Sequence, residues 1–307
     1  MDVSQFCSAT RLLIVAGKGG VGKTTVTAAL AKMAATAGRP ATIIEVEGKS
    51  GIGNVFGRRD LLTYEQVELA PLVTGRTLTP DDALLEYLKD HGMKRISKRL
   101  AASGALDVVS TAVPGLKDIL VLGKVKQLER AGDELLVLDA PAAGHAVTFL
   151  TSAAGLLDAA RVGPIRAQAQ DVVDLLSDPA RCEVVLVTLP EETPVNEVVE
   201  TAYKLEDRVG IKLGPIVVNG VYPVLDGLGD EPPAGDGLTP GQRRSLREAA
   251  DFRRSRQELQ AEQLQRLRDA LPLPQLRLPF LFTPEVGPAE LDVLAAGLAA
   301  QVEALPA

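Results

Sequence analysis

The sequence predicts an α/β protein, a doubly wound and mostly parallel sheet of about seven strands with helices on both faces. Three observations predict it. Short apolar runs rich in Val, Ile and Leu recur at residues 11–16, 41–46, 106–110, 134–139, 183–189, 214–219 and 275–282. These runs are continuous rather than alternating, as expected of strands buried on both faces. Segments of helix length separate them, which is the connection parallel strands require. Ligands of such sheets sit at the C-terminal ends of the strands.

Met1 to Arg11 lacks an apolar core flanked by basic residues, so residues 1–10 read as a flexible tail. Leu12 to Ala16 is the first strand, and it runs into Gly17-Lys18-Gly19-Gly20-Val21-Gly22-Lys23-Thr24, followed by Thr25 and an alanine-rich helical pattern that Gly38 closes. Strand, glycine loop and helix in that order make a phosphate-binding loop. The glycines let backbone N–H groups turn inward around a β-phosphate, Lys23 reaches the β- and γ-phosphates, and the Thr24 hydroxyl is a ligand for Mg²⁺. The second strand ends in Glu45-Val46-Glu47-Gly48-Lys49-Ser50. Its two glutamates share a face by the period of two, and Glu45 is a candidate for the Mg²⁺ water shell or a plain strand-end acid.

Residues 60–133 read as a compact, mostly helical insertion. Thr79 caps a helix over 79–104 that Gly92 interrupts, with Pro80, Asp81 and Asp82 in its first turn, and a second helix covers Pro114 to Arg130. Leu135 to Asp139 is an apolar strand ending in an acid, the usual way of setting an aspartate beside Mg²⁺. Further on, Ile216-Val217-Val218 ends at Asn219-Gly220. That amide donates and accepts in one plane, which matches the edge of adenine, although Asn-Gly is also a turn pair. Residues 226–241 read as a mobile loop before a charged helix from 243 to 270. Pro288 to Leu305 is an amphipathic helix carrying Glu290, Asp292 and Glu303, suited to packing on the core and ill suited to an anionic membrane.

A chain of 307 residues with 46% hydrophobic content supports one large domain spanning 1–307. Its net charge of -7 argues against nucleic acid as a partner, and the arginines at 243, 244, 247, 253, 254 and 256 are interleaved with Glu248, Asp251 and Glu258. The two cysteines, Cys7 and Cys182, form no C-x-x-C pair and read as free thiols. No run is long enough to cross a bilayer, and the expected location is cytoplasmic.

Lys18 remains to be explained, because Lys23 already serves the loop's own phosphates. A lysine directly after the first glycine is similar to the deviant phosphate loop of the MinD/ParA, nitrogenase iron protein and arsenite-pump ATPases. Asp139-Ala140-Pro141-Ala142-Ala143-Gly144-His145 followed by Thr148-Phe149-Leu150 resembles the second switch, D-x-A-P-x-G-H-x-x-x-F-L, of arsenite-pump ATPases and of the eukaryotic ATPase that targets tail-anchored proteins. That resemblance implies a slow, ATP- and Mg²⁺-dependent ATPase that dimerises around its nucleotides. Lys18 would touch the partner's nucleotide, Asp139 would hold the metal through water, and Gly144 would lie beside the γ-phosphate. Asn219 would read the base, and a residue of the stretch Leu278 to Glu285, with Phe282 a candidate, would cover it. Glu47 falls where the family carries a water-positioning aspartate in D-P-A-H, so the carboxylate stands one methylene further out and the proline and histidine are lost.

Three features of the relatives have no counterpart here. The chain lacks the zinc cysteine pair and methionine-rich groove of the tail-anchored-protein ATPase, having three methionines in all, and it lacks the extra cysteines of the arsenite pumps. The expectation is therefore one ATPase half that pairs with itself or with a paralogous subunit and engages a protein or membrane-associated client. The alternatives are a nucleotide-gated scaffold with little hydrolysis and a positioning ATPase of the ParA/MinD kind.

Overall fold

The computed structural model describes residues 2–46, 51–58, 62–90, 92–103, 115–141, 143–159, 162–231 and 237–306. Its strands are β1 (Leu12–Gly17), β2 (Ala41–Val46), β3 (Val67–Ala70), β4 (Val73–Leu78), β5 (Leu135–Asp139), β6 (Cys182–Thr188), β7 (Leu213–Val221) and β8 (Gln275–Pro279). The helices are α1 (Val3–Ser8), α2 (Lys23–Thr36), α3 (Gly51–Val55), α4 (Pro80–Asp90), α5 (Lys94–Ser103), α6 (Leu116–Ala131), α7 (Ala143–Ala159), α8 (Pro164–Ser177), α9 (Glu192–Val209), α10 (Pro240–Ala270) and α11 (Pro288–Glu303).

All the strands lie in one sheet, in the order β3-β4-β2-β5-β1-β6-β7-β8. Every pairing is parallel except β3 with β4. Side chains of successive strand residues point to opposite faces, and the core divides accordingly. Leu12, Ile14 and Ala16 join Leu136 and Leu138 against α6, α7, α8 and α9. Leu13 and Val15 join Val137 and Val185 on the other face, against α2 and α11. The amphipathic C-terminal helix thus packs on the core through Leu291, Leu294, Leu298 and Val302. This arrangement leaves the C-terminal ends of β1, β5, β6 and β7 side by side at one edge of the molecule, where the glycine loop lies.

Three expectations need correction. Residues 3–8 are a helix rather than a tail, because Asp2 caps it by accepting from the Ser4 backbone N–H and because Val3, Phe6 and Cys7 are buried. Burial pushes the Cys7 thiol up to about 11, against the opposing pull of Arg39. Cys182 is likewise buried in β6, and both cysteines are free.

The insertion at 60–133 is not simply helical, since β3 and β4 extend the sheet beside β2. The described sheet consequently has eight strands rather than about seven. Polar and charged residues disguise β4, which reads Val73-Thr74-Gly75-Arg76-Thr77-Leu78. Tertiary partners make its buried arginine tolerable. The Arg76 guanidinium donates to the Tyr64 carbonyl and sits 5.0 Å from the centre of the Tyr64 ring. The strand expected at 106–110 lies outside the described residues, as do residues 232–236 of the loop expected at 226–241. The charged helix after it begins at Pro240, where Thr239 makes a capping box with Gln242.

Candidate nucleotide site

The site starts from close packing of backbones. At the end of β1, a Cβ on Gly17 would lie 2.3 Å from the Val187 carbonyl oxygen on β6, so only glycine fits there. Gly20 and Gly22 have φ of +86° and +88°, the left-handed conformation that glycine adopts without strain. Those two reversals carry the chain around residues 18–22 and deliver it into α2 at Lys23. A helix N-terminus with free N–H groups facing a concave loop is an anion-binding arrangement. Lys23, in the first turn, donates from Nζ to the Lys18 carbonyl at 2.9 Å and so lies across the loop.

Asp139 ends β5, the neighbour of β1, and its Cα is in register with Val15. From there its carboxylate accepts a hydrogen bond from the Thr24 hydroxyl, Oγ1 to Oδ2, at 2.7 Å. The two oxygens predicted to serve one metal ion therefore converge on one point. An all-oxygen donor set of hydroxyl and carboxylate fits Mg²⁺, which takes few protein ligands and keeps its waters. Glu45 is brought beside them, its Cα in register with Asp139 across β2 and β5. Its side chain is buried and accepts from the Thr77 hydroxyl at 3.1 Å.

Glu47 lies outside the described residues, with Gly48, Lys49 and Ser50. The chain resumes at Gly51, where a Cβ would lie 2.9 Å from Cγ2 of Thr24, beside the metal-ligand candidate. Gly144 is the second residue of α7, which follows β5 directly; Ala142 of the same segment is outside the described residues.

The side expected to hold the base comes from β7, β8 and α10. Asn219 is turned onto the glycine loop, its side-chain amide donating to the Val21 carbonyl at 3.0 Å. Beyond it, Tyr222, Phe280 and Phe282 form an aromatic group with centroids 5.0 to 5.9 Å apart. Arg253 of α10 lies over two of these rings, 4.2 Å from the Tyr222 centroid and 5.4 Å from that of Phe282, and donates to the Pro223 carbonyl at 2.8 Å. Phe282 nonetheless remains 74% exposed. A phenylalanine supported from behind and bare in front is a stacking platform.

Lys18 does not point at its own loop's metal candidates. Its ammonium pairs with Glu197 of α9 at 2.6 Å. Neither Glu197 nor Arg253 was singled out for the site from the sequence, because each is one charge among many on a polar helix. Gln260 of α10 was missed as well, being one polar side chain among many on that helix. It accepts from the Tyr222 N–H at 2.8 Å and donates to the Gly220 carbonyl at 3.1 Å, fixing the turn that carries the aromatic group. Glycine-loop geometry, by contrast, is where the motif put it.

Comparison with known proteins agrees with the geometry. Residues 10–160 match the model of the family described as anion-transporting ATPase. The chain is 34% identical to the ATPase BagA of Mycobacterium tuberculosis over 229 residues, which is 70% of this chain and 66% of that relative. It is 27% identical to an arsenical pump-driving ATPase of Escherichia coli over 243 residues, 71% of this chain and 40% of the pump protein. To the arsenical pump-driving ATPase of Acidiphilium multivorum it is 28% identical over 236 residues, 69% of this chain and 39% of that one. The chain thus spans just under two thirds of BagA and about two fifths of the pump proteins. Among the described residues no helix is long and apolar enough to cross a membrane. With a family model that covers the glycine loop and several relatives that share 27 to 34% identity over about 70% of the chain, the chain belongs to the ArsA-type ATPase family.

Proposed function

We propose that this chain is a single phosphate-loop domain, a Mg²⁺-dependent ATPase that pairs face to face around two nucleotides and couples slow hydrolysis to engagement of a protein or membrane-associated client. One observation carries this reading, the 2.7 Å hydrogen bond from the Thr24 hydroxyl to the Asp139 carboxylate at the mouth of the glycine loop. It supports a nucleotide site whose metal ligands are already aligned. Thr24 would hold Mg²⁺ directly and Asp139 through water, with Glu45 behind them. Bound Mg²⁺ supplies charge neutralisation at the phosphates.

The residues of the chain divide the remaining work. Backbone N–H groups of Gly19 to Thr25 bind the phosphates, and Lys23 adds its charge to them. Glu47 orients the attacking water, since a glutamate has nearly the aspartate's intrinsic pKa and keeps the acceptor oxygens. Gly144 lets the second switch approach the γ-phosphate, and the movement of that switch is passed to α7. Asn219 and Phe282 bind the base.

Lys18 acts on the partner's nucleotide, supplying a cation in trans where negative charge gathers on the transferring phosphoryl group. The partner is a second copy or a paralogous subunit, and the setting is cytoplasmic. The arginines of α10 favour no nucleic-acid partner, because Arg247, Arg254 and Arg256 pair with Glu231, Asp251 and Glu191 of the chain itself. The test is Lys18→Ala. Turnover falls on the order of 10³-fold, the scale of a charge supplied in trans, while the nucleotide affinity of the isolated chain stays within about two-fold. Unchanged turnover would refute the trans role.

A further inference from the structure

We propose that Glu197 is a positioning residue for Lys18: it holds the lysine in cis in the free chain, yields it to the partner's nucleotide on pairing, and takes it back after hydrolysis. The proposal rests on the trans role of Lys18 given above.

Lys18 leaves the glycine loop immediately after β1, and Glu197 lies in the second turn of α9, the helix that follows β6 beside β1. Their ammonium and carboxylate meet at 2.6 Å. Because 179 positions separate them, the contact is a product of the fold rather than of the loop. The side chains of Lys18 and Glu197 are 41% and 35% exposed, so water screens the pair and holds its strength near that of a surface ion pair. Such a contact breaks readily. A triphosphate offers several negative charges where Glu197 offers one, so the lysine moves to the nucleotide when a partner brings one within reach.

The return is built into the other carboxylate oxygen. Oε2 of Glu197 is buried and makes no hydrogen bond. When Lys18 departs, the carboxylate loses that cation while Oε2 stays out of water, a state that costs free energy and favours recapture. Loss of the γ-phosphate weakens the competing attraction, and the balance swings back to Glu197. The start of α9 is fastened to α10, through its N-cap residue Glu191 to Arg256 at 3.1 Å and through Asn196, which accepts from Arg266. The exchange therefore takes place one helix away from Leu246, Phe252 and Leu259, exposed apolar side chains of α10.

The experiment uses the full chain and Glu197→Gln. Lysine acylation by an activated ester, read residue by residue by mass spectrometry on the nucleotide-free chain, reports whether the carboxylate shields Lys18. Turnover is then titrated against the species the chain assembles with, itself or its paralogue. Removing a surface-strength competitor raises the fraction of available lysine, so Lys18 acylation rises about three-fold with the other lysines unchanged, and the concentration giving half-maximal turnover falls about three-fold. A merely structural Glu197 would lower the melting temperature while leaving Lys18 acylation and the half-maximal concentration in place, and that result overturns the proposal. Failure of the trans reading shows separately, as normal turnover in Lys18→Ala.

Discussion

The phosphate side and the base side of the proposed nucleotide site are made in different ways. In the proposed site, residues 17–25 and one aspartate make the phosphate side, and its working groups would be backbone N–H donors posed by Gly20 and Gly22. The proposed base side is gathered from β7, the turn after it, the end of β8 and the middle of α10, and its working groups would be side chains. Backbone geometry can be specified by a short contiguous stretch, because glycine sets φ locally. Side-chain platforms need several elements to arrive in register. The two sides touch where the Asn219 amide donates to the Val21 carbonyl.

One titration separates the two sides, with ATP and inorganic tripolyphosphate compared by calorimetry in the presence of Mg²⁺. Gly22→Ala has the largest expected effect. A residue with a side chain at φ of +88° is strained, and the new Cβ would stand 2.3 Å from the Asn219 amide nitrogen, displacing it from Val21. Strain and the lost hydrogen bond together lower affinity for both ligands about 100-fold. If tripolyphosphate binding survives Gly22→Ala, the glycine loop is not the phosphate site.

Phe282→Ala removes the exposed ring and leaves the loop alone. Loss of base stacking lowers ATP affinity about ten-fold and leaves tripolyphosphate unchanged. An equal loss for both ligands would break the division into two sides. Arg253→Ala is the mildest of the three, since a partly exposed cation over aromatic rings contributes about as much as a surface contact. ATP affinity falls about three-fold, again with no change for tripolyphosphate. An effect as large as that of Phe282→Ala would mean that Arg253 contacts the base itself instead of steadying the ring.

The same contrast explains which features could be read in advance. Gly17 to Thr24 announces its structure because the glycines, the preceding apolar run and the following alanine-rich helix all point to one local geometry. Asp139 was legible as an acid ending a buried strand, and its 2.7 Å contact with Thr24 follows from the pairing of β1 with β5. β4 was illegible because its arginine and threonines suit water, and tertiary contacts such as those with the Tyr64 carbonyl and ring make Arg76 acceptable inside. The helix at residues 3–8 is too short to stand without the core that buries Val3 and Phe6, so propensity gave no sign of it.

By itself, then, the chain's order of residues determined the parallel sheet, the glycine loop, the placing of Thr24 and Asp139, and membership of its family, since each depends on periodicity or on a few adjacent positions. The tertiary structure alone decided that Lys18 meets Glu197, that Arg253 lies over Tyr222 and Phe282, and that β4 joins the sheet beside β2. Those contacts depend on how far each helix turns and slides as it packs against its neighbours. That register is set by the whole core at once, and no single stretch of sequence records it.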